Sequence, residues 1–501
     1  IYSSTNQVTF AKVDSVSGVN STNRTIAGLV NGVTYYFRVT AVDVGAHESA
    51  PSLVVSARPQ ADVAPPSLAL AANVPNAMIN TGVNILMNAS DASGVQSVTL
   101  YYRIAGEATF SNRAMALQSG TRYSANIPAS AVTNRGAEFY GQASDVFGNL
   151  ATTPRYPIRV ICPNGITAPV AQPSGTTASD YRLFSLPLEI DDKTPAGFLV
   201  ANPSLGSAEA GKYRWYAFER STGALREYPN FGSVQITADM GFALLVNLKN
   251  VRLKTGSGVT VATTTPYNIA LPQGWSLLGN PFNFNVPLDS LRVSAGTFEL
   301  WRFASDWEIN TAGLEPWQGY AIWMSQAATF SIHPGVAGLN SGASFYEVAN
   351  NAAENWLIQI TADDGRSTSR FNFVGQHEAA HDEHDVLDLH EPPALETGVA
   401  LSLHAAQNEE ALKADIRAPS AQGHVWNFTC RVADEEEVLR LSFAGVASVP
   451  ETFEVMVIDD ATARAYDLRT QMQLEFAVSA SREKHFTLLA GASAKGACRR
   501  A

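Results

Sequence analysis

The stretch NWLIQITADDGRSTSRFNFVG, residues 355–375, alternates apolar and polar side chains on both sides of a turn. Alternation with a period of two places one set of side chains on each face of a β-strand. Asp364-Gly365 is a tight-turn dipeptide, so the stretch predicts a β-hairpin. The same pattern occurs in TYYFRVTAVD (34–43), GVQSVTLYYRIAG (94–106), LQSGTRYSANIPAS (117–130) and GAEFYGQASD (136–145). Helical periodicity of any length is hard to find, so the chain is predicted to be all-β, a string of antiparallel β-sandwich modules.

The composition excludes several classes of protein. Of the 501 residues, 46% are hydrophobic and 16% are charged, which is typical of a globular chain. The net charge of −12 argues against nucleic acid as a partner. No apolar run approaches the roughly 20 residues that a membrane-spanning helix needs. The cysteines, Cys162, Cys430 and Cys498, are far apart and predict neither a disulfide framework nor a cysteine-ligated zinc site.

Stretches rich in Pro, Ser and Thr divide the chain into modules. Three of them lack periodicity and are interpreted as linkers: RPQADVAPPS (58–67), CPNGITAPVAQPSGTTASD (162–180) and HPGVAGLNSGAS (333–344). The predicted modules are residues 1–59, 61–162, 180–334 and 345–490, each of the size of a small sandwich or a pair of them.

The module 180–334 looks internally duplicated, with halves of about 180–265 and 266–334. The matching stretches are YRWYAF (213–218) with LWRF (300–303), GFALLV (241–246) with GYAIWM (319–324), and RLFSLPLEI (182–190) with WSLLGNPFNF (275–284). They follow the same order in both halves, which predicts two similar β-modules packed together. This matching makes Trp215 and Trp301, and likewise Phe242 and Tyr320, shared core positions.

Three regions resemble known families. Residues 24–59, RTIAGLVNGVTYYFRVTAVDVGAHESAPSLVVSARP, resemble the last strands of a fibronectin type III domain. The family's core tryptophan and first strands are missing, so residues 1–59 are expected to be a partial domain with Tyr35, Phe37 and Val39 partly uncovered. Within 61–160, DASGVQSVTLYYR and RYSANIPASAVTNRGAEFYGQASDVFGN resemble bacterial immunoglobulin-like modules.

The third resemblance covers residues 181–490. The stretches that carry it are LPQGWSLLGNPFNF (271–284), EPWQGYAIW (315–323) and GVASVPETFEVMVIDDATARAYDLR (445–469). They resemble tails of exported proteins in bacteria that use type IX secretion, although GASAKGACRRA (491–501) does not match the sorting domain of that pathway. In such proteins a catalytic domain, often a subtilisin-like protease, precedes the tail. The resemblance therefore implies a C-terminal fragment of a larger secreted or cell-surface protein.

HEAAH, residues 377–381, has the letters of a zinc-protease motif. In such enzymes two histidines at i and i+4 share one face of a buried helix, and the glutamate activates the metal-bound water. Here acidic residues follow directly, Gly375 precedes, and Pro392-Pro393 ends the segment, so no apolar stripe is available to bury a helix. The third-ligand candidates are His384, His390, Glu391 and Glu396. The sequence predicts an irregular exposed loop, with a zinc metalloprotease site as the alternative.

Other catalytic patterns are not evident in the sequence. No GxSxG elbow and no EF-hand loop occurs. The remaining histidines are distributed over separate segments: His47, His333, His404, His424 and His485. Six of the eight tryptophans lie between 215 and 323: Trp215, Trp275, Trp301, Trp307, Trp317 and Trp323. Core packing is the favoured interpretation of these tryptophans over a platform for sugar rings.

The function predicted from the sequence is that of a non-catalytic extracellular spacer or presentation tail, with no catalytic, cofactor or metal residues assigned and no cofactor. One alternative is a β-sandwich module that binds carbohydrate or protein. Another is the zinc metalloprotease through residues 377–381. The expected partners are the protein's own upstream domain and a cell-surface polysaccharide or protein, with no nucleic acid and no membrane-spanning segment.

Overall fold

The computed structural model describes residues 1–18, 21–206, 211–334, 355–395, 398–405, 410–433, 438–478 and 481–492. It is built of β-sheets throughout, which confirms the predicted all-β class. In the described ranges the one α-helix is α1, Pro195–Ala201, which begins where the Thr194 side chain accepts a hydrogen bond from Gly197 N at 3.0 Å. No helix in these ranges has the length and apolarity to cross a bilayer.

The N-terminal sheet has four antiparallel strands in the order β2-β1-β3-β4. These are β1 Tyr2–Ser4, β2 Ala11–Lys12, β3 Tyr35–Arg38 and β4 Val55–Ala57. Within 1–18 and 21–58 only Ser4 is fully buried, while Tyr35 and Phe37 are half-buried and Val39 is exposed. The prediction of an uncovered apolar face is confirmed, because no second sheet among the described residues packs on this one.

We expect amide hydrogens of residues 1–58 to exchange far faster than those of residues 65–160. A single sheet without a closed core opens at low free-energy cost, since few apolar contacts are lost when its strands separate. Hydrogen exchange followed by mass spectrometry of peptides from the intact chain measures the difference. Protection of residues 1–58 equal to that of 65–160 would contradict the expectation.

The second unit is a two-sheet sandwich. Its strands are β5 Ser67–Leu70, β6 Ala77–Met78, β7 Val83–Ser90, β8 Val95–Ile104, β9 Ser111–Ala114, β10 Ala116–Ser119, β11 Arg122–Ile127, β12 Ala137–Asp145, β13 Leu150–Thr152, β14 Tyr156–Ile158 and β15 Val160–Cys162. One sheet has the order β10-β11-β7-β5 and the other β13-β12-β8-β9, with β14 also paired to β12. Ile85 and Met87 of the first sheet share a core with Leu100 and Phe139 of the second.

The third unit contains two sheets of identical topology. Its strands are β16 Arg182–Phe184, β17 Glu189–Ile190, β18 Tyr213–Glu219, β19 Ala224–Glu227, β20 Phe242–Val246, β21 Gly258–Val259, β22 Tyr267–Leu271, β23 Gly274–Gly279, β24 Val286–Pro287, β25 Leu291–Val293, β26 Phe298–Phe303, β27 Trp307–Ile309, β28 Gly313–Leu314, β29 Gly319–Met324 and β30 Ala328–Ile332. The orders β16-β20-β18-β19 and β23-β29-β26-β27 both place the last of their four strands between the first and the second. The three matched pairs of stretches supply equivalent strands of the two sheets.

The strand register corrects one detail of that matching. Ala243 in β20 pairs with Tyr216, and its counterpart Ala321 in β29 pairs with Trp301. Tyr216 is therefore the equivalent of Trp301, and Trp215 is not, because neighbouring residues of a strand point to opposite faces. Tyr216 and Trp301 lie in the same apolar cluster, whereas Trp215 belongs to a different one.

The C-terminal unit is one curled sheet. Its strands are β31 Trp356–Asp363, β32 Thr368–Ser369, β33 Phe373–Gln376, β34 Leu389–His390, β35 Ala400–His404, β36 Ala411–Arg417, β37 His424–Arg431, β38 Val438–Ala444, β39 Glu454–Asp459, β40 Arg464–Asp467, β41 Gln473–Ala477 and β42 Glu483–Gly491. Their main order is β40-β39-β42-β37-β35-β36-β33-β31-β38-β41. Three strands separate β31 from β37, yet the rings of Trp356 and Trp426 are 5.8 Å apart, so the sheet folds back to enclose its core. The hairpin predicted at Asp364-Gly365 is confirmed by the pairing of β31 with β32.

The stretch 162–180, interpreted from the sequence as a linker, is packed against the third unit. Ala168 N donates to Leu253 O at 2.8 Å and Gln172 N to Val251 O at 2.7 Å. Just before it, β15 pairs in parallel with β6 and antiparallel with β21, in a sheet of order β17-β21-β15-β6. This connecting stretch is therefore packed and not free, because a backbone without side-chain periodicity can still satisfy its hydrogen bonds against a neighbouring segment. The stretch 58–67 is mostly exposed and without strands up to Pro66, and 333–344 lies almost wholly outside the described residues.

Candidate functional site at the junction of the third and C-terminal units

An apolar junction joins the third unit to the C-terminal unit. On one side lie equivalent residues of the duplicated sheets, Leu183, Tyr216, Leu277 and Trp301; on the other lie Phe371, Leu387, Leu389, Leu395, Ala414 and Ile416. The Trp301 ring meets the Phe371 ring edge-on at 5.1 Å between centroids. We call this surface the second junction, and the sheet β17-β21-β15-β6 with its surrounding core the first junction.

The segment 377–395 supplies much of the second junction. Residues 377–381 form turns and irregular backbone, not a helix, as the sequence predicts. The prediction that the segment is exposed is wrong for much of it. His381 is exposed, but His377, Leu387, Asp388 and His390 are buried. The apolar Leu387 and Leu389 draw the second half of the segment onto the third unit, and the hydrogen bonds of its polar residues compensate for their burial.

The HEAAH histidines are not arranged as metal ligands. His377 Nδ1 accepts a hydrogen bond from Ala379 N at 3.0 Å, so this nitrogen is already used locally. Among the residues that the structure describes, neither His377 nor His381 belongs to a group of side chains placed to share an ion. Without a helix, the spacing of four residues does not bring their rings to one face.

His390 is the centre of a different arrangement. Its ring stacks on Trp323 with 3.5 Å between centroids and an interplanar angle of 17°. Its Nδ1 lies in a very short contact with a carboxylate oxygen of Glu299, and its Nε2 is 3.0 Å from Glu410 Oε1. Glu299 is itself fixed, because its other oxygen accepts from Trp301 Nε1 at 3.0 Å and from His390 N at 3.1 Å. The imidazole therefore lies between two carboxylates, one from each unit.

His384 completes the group. Its ring centroid is 4.6 Å from that of His390, and its Nδ1 lies 3.9 Å from an oxygen of Asp388. One ligand atom from each of His384, His390 and Glu410 lies within 4.8 Å of the others. Desolvation, and then the neighbouring His390, lower the pKa of His384 against the opposing effect of Glu410. Burial raises the pKa of Asp388 to about 7, although N–H donors from Ile416 and Asp385 oppose the shift.

A buried lysine stands close to the same junction. Lys413 Nζ donates to Leu401 O at 2.7 Å and to Asn372 Oδ1 at 3.1 Å, and it lies 3.3 Å from a Glu391 oxygen. Glu391, a third-ligand candidate of the zinc motif, is therefore paired with a lysine instead. Asp306 lies nearby and accepts a hydrogen bond from Arg370 N across the junction. Burial raises the pKa of Asp306, and the N–H of Arg370 and the charge of Lys413 oppose that rise.

Sequence reasoning placed part of the group and missed the rest. His384 and His390 were third-ligand candidates, and the structure brings them together; Glu396 lies outside the described residues. Glu299, Trp323 and Glu410 were not found, because their contacts join residues up to 91 positions apart and no local motif marks them. His404 and His485, which lie in separate segments of the sequence, both contact the Thr429 hydroxyl, at 2.6 and 3.0 Å.

A second acidic group lies in the second unit, where Asp62, Asp91 and Asp145 approach one another. The buried Asp145 carboxylate accepts hydrogen bonds from Phe147 N at 2.9 Å and from Asn149 N at 2.8 Å. Through these bonds Asp145 stabilises the turn between β12 and β13, which explains why its carboxylate is buried there.

The tryptophans of the third unit mainly fill cores. Trp215, Trp301, Trp307 and Trp317 are buried, which confirms core packing for these four. Trp275 and Trp323 are partly buried, and the latter is covered by His390. These six side chains therefore do not form an exposed row on which sugar rings could stack.

Comparison with known proteins assigns no family. No family profile and no curated protein matches the chain. Among solved structures, a cycloalternan-degrading enzyme from Trueperella pyogenes is 10% identical with a TM-score of 0.14, over 52% of this chain and 29% of the enzyme. A laminaripentaose-producing β-1,3-glucanase from Paenibacillus barengoltzii is 10% identical with a TM-score of 0.15, over 63% and 66% of the two chains. A tetra-tandem repeat from the extending region of a large adhesion protein is 10% identical with a TM-score of 0.21, over 84% and 90%. Similarities of this size do not establish a shared fold or function.

Proposed function

We propose that the chain is a rigid, non-catalytic spacer that presents an upstream domain of a larger exported or cell-surface protein. The observation that carries the proposal is the pair of junctions, which join the second, third and C-terminal units through apolar cores. A spacer transmits position and force only when its modules keep a fixed orientation. Modules joined by flexible linkers cannot do so, because relative motion is the default unless the interface between them is large and hydrophobic.

The first junction combines backbone pairing with a continuous core. Strand β15 contributes hydrogen bonds to β6 of the second unit and to β21 of the third. The apolar cluster around it extends from Ala77 through Val160 to Trp215 and includes residues of both units. Arg159 adds a hydrogen bond to Thr260 O at 2.9 Å. Bending at this point would break strand pairing and expose buried apolar surface together, which supports a stiff connection.

The second junction is stiffened by aromatic packing and buried polar contacts. The edge-on pair of Trp301 and Phe371, the stack of Trp323 on His390, and the hydrogen bond from Arg370 N to Asp306 all cross it. The polar contacts are directional and lie within an apolar surround, so they favour one orientation of the two units over others. The N-terminal sheet differs, because an exposed proline-containing stretch connects it to the second unit.

We expect distance measurements between spin labels to separate stiff connections from flexible ones. Exposed positions suitable for cysteine labels are Val44, Leu117, Val200 and Met472. The pairs Leu117→Cys/Val200→Cys and Val200→Cys/Met472→Cys, which span the first and second junctions, should give narrow distributions. The pair Val44→Cys/Leu117→Cys, which spans residues 58–67, should give a broad one. Pulsed electron paramagnetic resonance on the full chain provides the measurement.

The labelling background is Cys498→Ser, with Cys162 and Cys430 retained because both are buried. Equally broad distributions for all three pairs would mean that the units move independently, and the rigid-spacer function would then be untenable. An upstream domain as the object presented is tested separately, by expressing the longer protein with and without residues 65–492 and measuring surface accessibility of that domain.

A further inference from the structure

We infer that His384, His390 and Glu410 form a binding site for a divalent transition-metal ion of the zinc class. This goes beyond the proposed spacer function and does not depend on it. The ligands are two imidazoles and one carboxylate, the donor set that suits Zn²⁺ and its borderline neighbours Co²⁺ and Ni²⁺. The site differs from the HEAAH motif, since neither His377 nor His381 takes part in it.

The geometry of His390 favours a ligand over a purely structural ring. His390 Nδ1 contacts a Glu299 oxygen, so Nε2 is the ring nitrogen that remains for an ion. Nε2 lies 3.0 Å from Glu410 Oε1, so an ion beside this pair can be in bonding contact with both atoms. A carboxylate behind the far nitrogen of a ligating histidine is the usual arrangement that fixes ring orientation and raises ligand basicity.

The remaining ligands can close on an ion without a change of fold. Zinc ligand atoms at about 2.0–2.2 Å from the metal lie roughly 3.3 Å from one another in a tetrahedral site. The ligand atoms here lie within 4.8 Å of one another, so the side chains need to move by about 1 Å. The His384 side chain is 36% exposed and can make that movement, and its exposure also provides a route for the ion to enter. A water molecule would fill the fourth position.

The two units contribute differently to the site. The three ligands belong to the C-terminal unit, while Glu299, which orients His390, and Trp323, which stacks on it, belong to the third unit. The folded junction therefore preorganises the site, and an ion that binds only the assembled junction stabilises it by mass action. Metal binding and packing of the second junction should therefore be coupled.

The test is a titration of the full chain, stripped of metal by dialysis against a chelator, with Co²⁺ followed by competition with Zn²⁺. We expect one ion per chain, with visible absorption of the intensity typical of tetrahedral Co²⁺. His384→Ala and Glu410→Gln should weaken binding at least tenfold, and Glu299→Gln should weaken it about 10–100-fold through loss of ligand orientation. His381→Ala, in an exposed residue of the same segment, is the matched control and should leave the affinity unchanged.

His384→Ala lies at the exposed side of the group, so it tests the ligand role without removing a buried ring, and circular dichroism of each variant checks the fold. Binding lost in His381→Ala but kept in His384→Ala would assign the ion to residues 377–381 and overturn the inference. Absence of stoichiometric binding by the parent chain would also overturn it, since the contacts of His390 with Glu299 and Glu410 would then be purely structural.

Discussion

Replacing Trp301 by alanine is expected to lower the free energy of unfolding by about 3–5 kcal/mol, the range for truncating a large aromatic side chain in a packed core. Trp301 is fully buried, contacts Phe371 of the C-terminal unit, and donates from Nε1 to Glu299 at 3.0 Å. Its loss would leave a cavity across the second junction and free the carboxylate that orients His390. Urea unfolding monitored by circular dichroism and fluorescence measures the change.

The matched control is Trp275→Ala, which removes the same side chain from a partly buried position in the same cluster. This substitution should lower the free energy of unfolding clearly less than Trp301→Ala, because it returns less apolar surface to water. Trp301 packs between two units. In the Trp301→Ala variant the C-terminal unit and the third unit should therefore unfold in separate transitions. A folded Trp301→Ala variant within about 1 kcal/mol of the parent chain would show that the side chain is not the packing centre assigned to it.

The class of fold could be predicted because it depends on local signals. Period-two alternation and the Asp364-Gly365 turn specify strands and a hairpin within a few residues of each other, and the structure has both. The matched stretches of the third unit also lie in equivalent strands. The error of one residue between Trp215 and Tyr216 arose because identical letters were aligned, whereas the register is set by pairing with Ala243 and Ala321.

The junctions could not be predicted, since they depend on contacts between distant parts of the chain. A Pro-rich stretch gives the same sequence signal whether it is mostly exposed, as residues 58–66 are, or packs along a neighbouring segment, as residues 162–180 do. Whether residues 162–180 pack depends on the surface formed by residues 246–255, which lie far along the sequence. For the same reason, the composition of segment 377–395 suggested exposure, although Leu387 and Leu389 anchor it against the third unit.

The histidine group illustrates the same limit for chemistry. The spacing of HEAAH would make His377 and His381 ligands of one ion only if the segment were a helix, and the sequence predicted a loop. In an irregular segment the neighbours of a side chain are set by tertiary packing. His390 contacts Glu299 and Trp323, both in the third unit. The ring of His384, six residues upstream, also lies against the His390 ring.

Replacing Lys413 by alanine is expected to cost about 3–5 kcal/mol in the free energy of unfolding, the range for leaving the partners of a buried charge uncompensated. Lys413 is 4% exposed, and its ammonium group satisfies Leu401 O and Asn372 Oδ1 as well as the carboxylate of Glu391. Alanine leaves the carbonyl and the amide oxygen without this donor inside the sheet. Thermal and urea unfolding of the two proteins measure the loss.

Two further variants isolate the cause of that loss. Glu391→Gln removes the charge of the partner but leaves the lysine its neutral acceptors, so its loss of stability measures the charge pair, and the additional loss in Lys413→Ala measures the neutral acceptors. Lys249→Ala, at an exposed position, controls for the loss of one positive charge from a chain of net charge −12 and should change stability by less than about 0.5 kcal/mol. Equal losses for Lys413→Ala and Lys249→Ala would show that overall charge is responsible. A large loss confined to Lys413→Ala would show that its buried hydrogen bonds to Leu401 O and Asn372 Oδ1 and its contact with Glu391 are responsible.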